Sequence, residues 1–166
     1  MKKYILAFML MLPFAYSYGQ NPLYEGRNQF NIGVGLSEWG VPFYLGIDFS
    51  VSRDITMGGE ISYRGYRENW KNSYYQHSIL GFSGNGNYHF NSVLNLPSRF
   101  DFYAGLNLGF YVWNSPSGYD GTHGSGLGLG GQIGGRYYFS NTMGFNIEFG
   151  GGNAFSGGKI GISVKM

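Results

Sequence analysis

Cysteine is absent from the 166 residues. That excludes disulfides, thiolate metal sites and an N-terminal lipid-modified cysteine. Charge is scarce: Asp, Glu, Lys and Arg make up 12% of the chain, against about 25% in soluble domains. The formal net charge is +2, so no basic field is present to hold a nucleic acid. Beyond the first twenty residues no apolar run is long enough to cross a membrane as a helix. No window keeps a helical period. Glycine, in contrast, is abundant at 30 residues, without the G-X-Y period of collagen. Aromatic residues reach 19%.

The opening "MKKYILAFMLMLPFAYSYGQ" has Lys2 and Lys3 before an apolar run from Tyr4 to Ala15. Ser17 and Gly19 are small residues at minus three and minus one from a cut before Gln20. The pattern predicts a secretory signal peptide over 1–19 and a single domain over 20–166. The apolar run is shorter than the roughly 20 residues of a spanning helix.

The rest divides into runs of alternation bounded by turn residues. In "FDFYAGLNLGFYVW" (100–113) every second residue from Phe100 to Val112 is apolar. The other set, from Asp101 to Trp113, is small, polar or aromatic. Similar runs are expected over 28–36, 41–51, 55–67, 74–90, 125–139, 143–152 and 159–166. These are eight strands, most of them near the roughly 9–11 residues that cross a bilayer at a tilt. The connections alternate in kind. "SRD", "NSVLNLPSR" and "SNT" fall at one end; "SEWG", "ENWKNS", "NSPSGYDGTHG" and "NAFSG" fall at the other. Short turns at one end and longer loops at the other suit an outer-membrane barrel.

A soluble sandwich would also alternate, but its second face would carry Lys, Glu, Arg and Thr. Here that face is Gly, Asn, Ser and Tyr, which suits the crowded interior of a small closed barrel. Two aromatic girdles are expected at the lipid boundaries. Trp39, Tyr66, Trp70, Tyr74, Tyr75 and Trp113 would form the one at the loop end. Tyr88, Phe90, Phe100, Tyr137 and Phe139 would form the other. The expected fold is all-β, an eight-stranded antiparallel transmembrane up-and-down barrel. The alternative is a soluble, lipocalin-like barrel with an apolar core.

Segments "FYAGLNLGFYVW" (102–113), "GLGLGGQIGGRYYFSNTMGFNIEFGGG" (126–152) and "GKIGISVKM" (158–166) resemble the small eight-stranded outer-membrane barrels of Gram-negative bacteria, the OmpA/OmpX-type and OmpW-type group. The resemblance implies localisation in the cell outer membrane. It implies contact with outer-membrane lipid and lipopolysaccharide, and insertion through machinery that reads the last strand. It transfers no site. Three functions follow as expectations. The first is a non-catalytic structural or accessory component, beside a larger outer-membrane complex. The second, implied by the OmpW-type likeness, is a narrow channel for small or apolar solutes. The third is a lipid-modifying enzyme.

The inward set holds Asp48, Glu60, Arg64, Asp101, Asn107, Gln132, Arg136, Asn146, Glu148 and Lys165. Charges of both signs in a narrow lumen should pair, because an unpaired one is costly there. Arg136 and Glu148, on strands joined by "SNT", are expected at similar heights; Glu60 and Arg64 share a face. Such a cluster is either a selectivity ring or a plug that fixes register. The plug is the favoured reading.

Other motifs carry less. "GLGLGG" (126–131) matches a dinucleotide fingerprint in letters only, since no helix follows. His123-x-Ser125 resembles the His-x-Ser pair of outer-membrane lipid A deacylases, but Gly126 stands where that family has Asn. Glu148 would lie roughly 20 Å from Ser125 in depth, too far for a triad. His77 is expected near the outer rim and His89 near the periplasmic end, neither with a partner at metal-ligand spacing. No carboxylate pair is set for acid–base work. No cofactor, metal or nucleic-acid partner is expected.

Overall fold

The computed structural model describes Leu23 and residues 26–152 and 157–166. The expected leader over 1–19 and the connection at 153–156 lie outside them. The elements are β1 (Asn28–Leu36), β2 (Phe43–Ser52), β3 (Ile55–Trp70), β4 (Ser73–His89), a one-turn α1 (Asn91–Leu94), β5 (Phe100–Asn114), β6 (Gly126–Tyr138), β7 (Met143–Gly152) and β8 (Gly157–Lys165). Each strand pairs antiparallel with its sequence neighbours, and β1 closes on β8 from Gln29↔Lys165 to Leu36↔Gly158. Closure leaves no edge, so the backbone hydrogen bonds are made within the wall.

The alternation decides which way each side chain points. On β5 Leu106 and Leu108 are 68% and 59% exposed, while Asp101 and Tyr103 are 0% and 4% exposed. The same parity runs round the barrel, with Phe30, Leu45, Ile61, Phe82, Ile133, Phe145 and Ile160 all exposed. An apolar belt of this extent is not a water-facing surface; the solvent it fits is hydrocarbon. The soluble inside-out barrel is therefore excluded by the direction of the side chains. No helix among the described residues is long and apolar enough to cross a membrane, and the crossing falls to the strands.

The wall is uneven. β3 and β4 have 16 and 17 residues, β1 and β8 only 9. "ENWKNS" is not the open loop expected from its polarity. The two strands run on to Trp70↔Ser73 and turn through Lys71 and Asn72, both with positive φ (49° and 63°). That is the backbone of a two-residue type I′ turn, which matches strand twist. Above Tyr63 and Leu80 the outward positions change to Gly65, Arg67 and Asn69 on β3, and to Ser78 and Gln76 on β4. The hairpin thus rises beyond the apolar belt. "NSVLNLPSR" holds the short α1, whose C-cap Asn95 adopts the left-handed conformation.

Candidate functional site in the barrel lumen

The lumen is filled in layers. At the turn end, Arg136 of β6 reaches Asp48 of β2 (Nη2–Oδ2 2.7 Å) and Asp101 of β5 (Nη1–Oδ2 3.1 Å). Its guanidinium lies 4.4 Å from the centroid of the Tyr103 ring. Asp48 also accepts from Asn31 Nδ2 at 2.9 Å. All these groups are buried. Arg136 is thus not paired with Glu148, as the short "SNT" turn suggested. Register puts Asn146 opposite Arg136 and Gly134 opposite Glu148, so the two charges sit at different heights.

The middle layer centres on Lys159 of β8. Its Nζ donates to Glu60 (2.8 Å) and lies 2.7 Å from Glu148. Tyr103 donates its hydroxyl to the other Glu148 oxygen at 2.9 Å. A polar chain runs from the Tyr44 hydroxyl to Asn146 (2.7 Å), from Asn146 to Ser163 (2.9 Å) and from Ser163 to Asn31 (2.7 Å). Beside it Asn107 donates to Gln132 (2.8 Å) and Gln132 to Asn87 (2.7 Å). Arg64 stands higher and separate from Glu60's partner. It donates to Ser37 Oγ (2.9 Å) and lies 5.6 Å from the Trp39 ring centroid. Lys165 lies over the Tyr138 ring at 3.6 Å, near the base.

Two small cavities interrupt this packing. One of ≈20 Å³ touches Asp48, Glu60, Tyr103 and Lys159; the other, of ≈30 Å³, touches Ser37, Ser62, Arg64 and Lys159. About 10–15 Å³ is needed to hold one water, so each has room for one or two.

One charged group of the lumen escaped sequence reasoning. Lys159 shares the inward parity of Lys165, and that parity was the available signal. His89, expected near the periplasmic end, is fully buried there and hydrogen-bonded. His89 Nδ1 lies 2.7 Å from Asp101 Oδ1, and its Nε2 lies 2.9 Å from the Thr56 hydroxyl. The order hydroxyl, imidazole, carboxylate is that of a nucleophile, base and orienting acid. Thr56, His89 and Asp101 are each 0% exposed, however, and Arg136 clamps the same Asp101. No substrate atom reaches that hydroxyl.

The outer mouth corrects the girdle expectation. Trp39, Tyr66 and Trp113 point inward and pack on one another: Trp39–Trp113 5.2 Å and Tyr66–Trp113 5.9 Å between ring centroids. Parity already assigns Trp113 to the face of Tyr103 and Asn107. At the turn end Tyr88, Phe100, Tyr137 and Phe139 do face outward. His77 is buried beneath the mouth, its Nδ1 accepting the Trp113 indole N–H at 3.1 Å. Ser125 Oγ accepts the Trp113 backbone N–H (2.9 Å), and His123 faces Glu68 at 3.3 Å. The His123–Ser125 pair is thereby engaged with other groups.

The β5–β6 connection folds over this mouth. Tyr119 donates its hydroxyl to Glu68 (2.8 Å), Trp70 Nε1 donates to Asp120 (2.8 Å), Lys71 donates to Asp120, and Tyr75 donates to the Gly118 carbonyl (3.1 Å). The Tyr119 hydroxyl holds the Glu68 carboxyl below its usual range. Lys71, with the Trp70 N–H second, does the same for Asp120. Among the described residues no group of three or more His, Asp and Glu could hold a metal ion.

Neither a family model nor a curated protein matches the chain. Solved structures do. The outer membrane protein OprG from Pseudomonas aeruginosa superposes with a TM-score of 0.66 at 11% identity, over 88% of this chain and 99% of its own. The N-terminal β-barrel domain of Pseudomonas aeruginosa OprF gives 0.57 at 11%, over 86% and 98%. Neisserial surface protein A gives 0.56 at 13%, over 84% and 95%. A set of de novo designed transmembrane β-barrels includes a match at 0.53 and 20%, over 86% and 97%. Identities this low show the fold. It is a closed eight-stranded antiparallel barrel, the fold these outer-membrane proteins share, and its exposed apolar belt fits a wall that faces lipid.

Proposed function

We propose that this barrel is a non-catalytic structural or accessory component of the outer membrane and does not conduct solutes. The observation that carries the reading is the filled lumen. Arg136, Asp48 and Asp101 block the base, Lys159, Glu60 and Glu148 block the middle, and Trp39, Tyr66 and Trp113 block the mouth. An ion path through these layers would have to break buried ion pairs, and each breakage leaves an uncompensated charge. The belt supplies the contact with lipid and lipopolysaccharide. The last strand is what the insertion machinery would read. The raised β3–β4 hairpin offers a surface to a larger outer-membrane complex.

Planar-bilayer recording tests this directly. The wild-type protein is expected to give no discrete conductance steps in 1 M salt. Steps altered by Arg136→Ala or Lys159→Ala would establish the channel reading in its place. Deleting the protein is expected to leave lipid A acylation unchanged.

A further inference from the structure

The outward wall is not uniform near its turn end. On β6 the outward positions run Tyr137, Gly135, Ile133. Register sets Phe102 of β5 on one side of Gly135 and Ile147 of β7 on the other. Phe100 and Phe145 flank Tyr137 in the same way, and Phe149 lies beside Ile133. Because Gly135 has no side chain, these rings border a groove of ≈720 Å³. From Tyr137 to Ile133 is about 13 Å of tilted strand, less than half of the ~30 Å hydrocarbon core. The groove therefore lies within one leaflet. The short turns mark that end as periplasmic, so the leaflet is the one made of phospholipid and not of lipopolysaccharide.

A cation stands at the lower lip of this groove. The Arg99 carbonyl accepts the Tyr138 N–H at 2.7 Å, and the Phe100 N–H donates to the Pro97 carbonyl at 2.9 Å. The Arg99 backbone is thus fixed just below Phe100 and Tyr137. Its side chain is exposed, with no acceptor or carboxylate partner among the described residues. The connection from Val93 to Arg99 contains no acid, and Asp54 is taken by the Ser92 hydroxyl. Val93 and Leu94 of the same connection are exposed, which suits a segment resting on a membrane interface. An apolar groove with an unpaired cation at its lip calls for a ligand with an apolar tail and an anionic head. The planar fork of Arg suits phosphate. With no acid there to hold an ammonium, a head of net negative charge fits better than a zwitterionic one. A second copy of the chain fits poorly. Two copies in one membrane share an orientation, so a two-fold seam along the groove would set Arg99 against Arg99 at one height. A second hollow, of ≈560 Å³ about Gly59 and Gly84, lacks the cation. Glu60 borders it but turns its carboxylate inward to Lys159. That hollow offers tail space without a head contact.

We propose that the groove at Gly135 and the Arg99 guanidinium form a site for one anionic glycerophospholipid of the periplasmic leaflet, with a tail in the groove and the phosphate on Arg99. The site rests on the belt's contact with lipid proposed above and adds to it a place and a headgroup chemistry. It is independent of whether the lumen conducts.

Native mass spectrometry tests the site. The full chain is folded in detergent micelles holding equal amounts of phosphatidylglycerol and phosphatidylethanolamine, and a heat-dependent gel shift confirms the closed barrel. The wild-type protein should retain one phosphatidylglycerol. Arg99→Gln should lower that adduct about tenfold, as loss of one charge-assisted hydrogen bond implies. Gly135→Leu, which fills the groove, should lower it as well, while Gly59→Leu in the other hollow should leave it unchanged. Arg99 lies beyond the wall, so its variant carries the test even where Gly135→Leu impairs folding. Equal retention of the two lipids by the wild type, or phosphatidylglycerol retention unaltered by Arg99→Gln, would overturn the site and leave only bulk lipid contact. A wild-type dimer that Gly135→Leu removes would overturn it in favour of a second copy. A chain that forms no heat-shifting barrel in the micelles would contradict the lipid-facing belt itself, so the two failures are distinct.

Discussion

Arg136→Met is the sharpest test of the lumen packing. The side chain leaves behind Asp48 and Asp101, both buried, which it holds at 2.7 and 3.1 Å. Removing one partner of a buried ion pair costs about 3–5 kcal/mol, because the remaining charge stays desolvated. Asp101 keeps His89 and Asp48 keeps Asn31, each by a hydrogen bond. Those bonds pull the expected loss to the lower end, about 3 kcal/mol, or roughly a hundredfold in the folding equilibrium. The assay is urea unfolding in phospholipid vesicles followed by tryptophan emission. Trp39, Trp70 and Trp113 all sit at the opposite end, so the probe is undisturbed by the substitution. Adding Asp48→Asn and Asp101→Asn to Arg136→Met should recover at least half of the loss, since no unpaired charge is then buried. A single-variant loss below about 1 kcal/mol, the value of an exposed pair, would refute the claim that this triad is a buried plug. Failure of the triple variant to recover would point to packing against Tyr103 instead of charge.

Three further outcomes follow from the same structure. Leu108→Arg puts a charge on the hydrocarbon face and should cost about 2–4 kcal/mol if that position lies near the bilayer midplane, read by the same unfolding assay; a neutral result would contradict the lipid-facing assignment. Gly105→Ala should destabilise the barrel because its Cβ would lie 2.3 Å from the Gly86 carbonyl oxygen, whereas Gly86→Ala, which meets nothing within 4 Å, should be tolerated; equal effects would argue against Gly105 facing the crowded lumen and Gly86 the lipid. The contacts of Glu68 and Asp120 that hold the β5–β6 connection should depend on pH in one direction. Glu68 and Asp120 are both held below their unfolded values of 4.5 and 3.8, so their contribution is fully present above those values and fades as pH falls through the lower folded ones. Iodide quenching of tryptophan emission should therefore stay constant from pH 7 to 5 and rise below about pH 4, as Asp120 releases Trp70; a rise between pH 7 and 5 would show that another group holds the connection.

Alternation alone made the architecture legible. A period of two separates inside from outside on each strand, and turn residues mark where the chain reverses, so β1 and β7 fall where the pattern places them. The Lys71–Asn72 turn was hidden because its flanking residues are polar. Polarity there reflects a hairpin standing above the lipid, not a loop. The aromatics of the outer mouth were misplaced for a related reason. Trp39 and Trp113 sit near strand ends, where a girdle would be, and only the parity of the strand says that Trp113 turns inward. The charge partners were the least legible. Local pattern gives the face of Arg136, Glu148 and Lys159 but not their heights. Height across a closed barrel depends on the stagger of all eight strands. Arg136 therefore meets Asp48 from β2 across the lumen, which no neighbouring turn could reveal.

The central claim is that the apolar belt faces lipid and the polar set fills a closed interior. Outer-membrane fractionation with a gel comparison tests it most directly. The full chain is expressed in a Gram-negative host, the membranes are separated, and the protein is run boiled and unboiled in SDS. The structure predicts retention in the outer-membrane fraction and a different mobility for the unboiled, still-closed barrel. Release as a soluble periplasmic protein without a heat-dependent shift would contradict it.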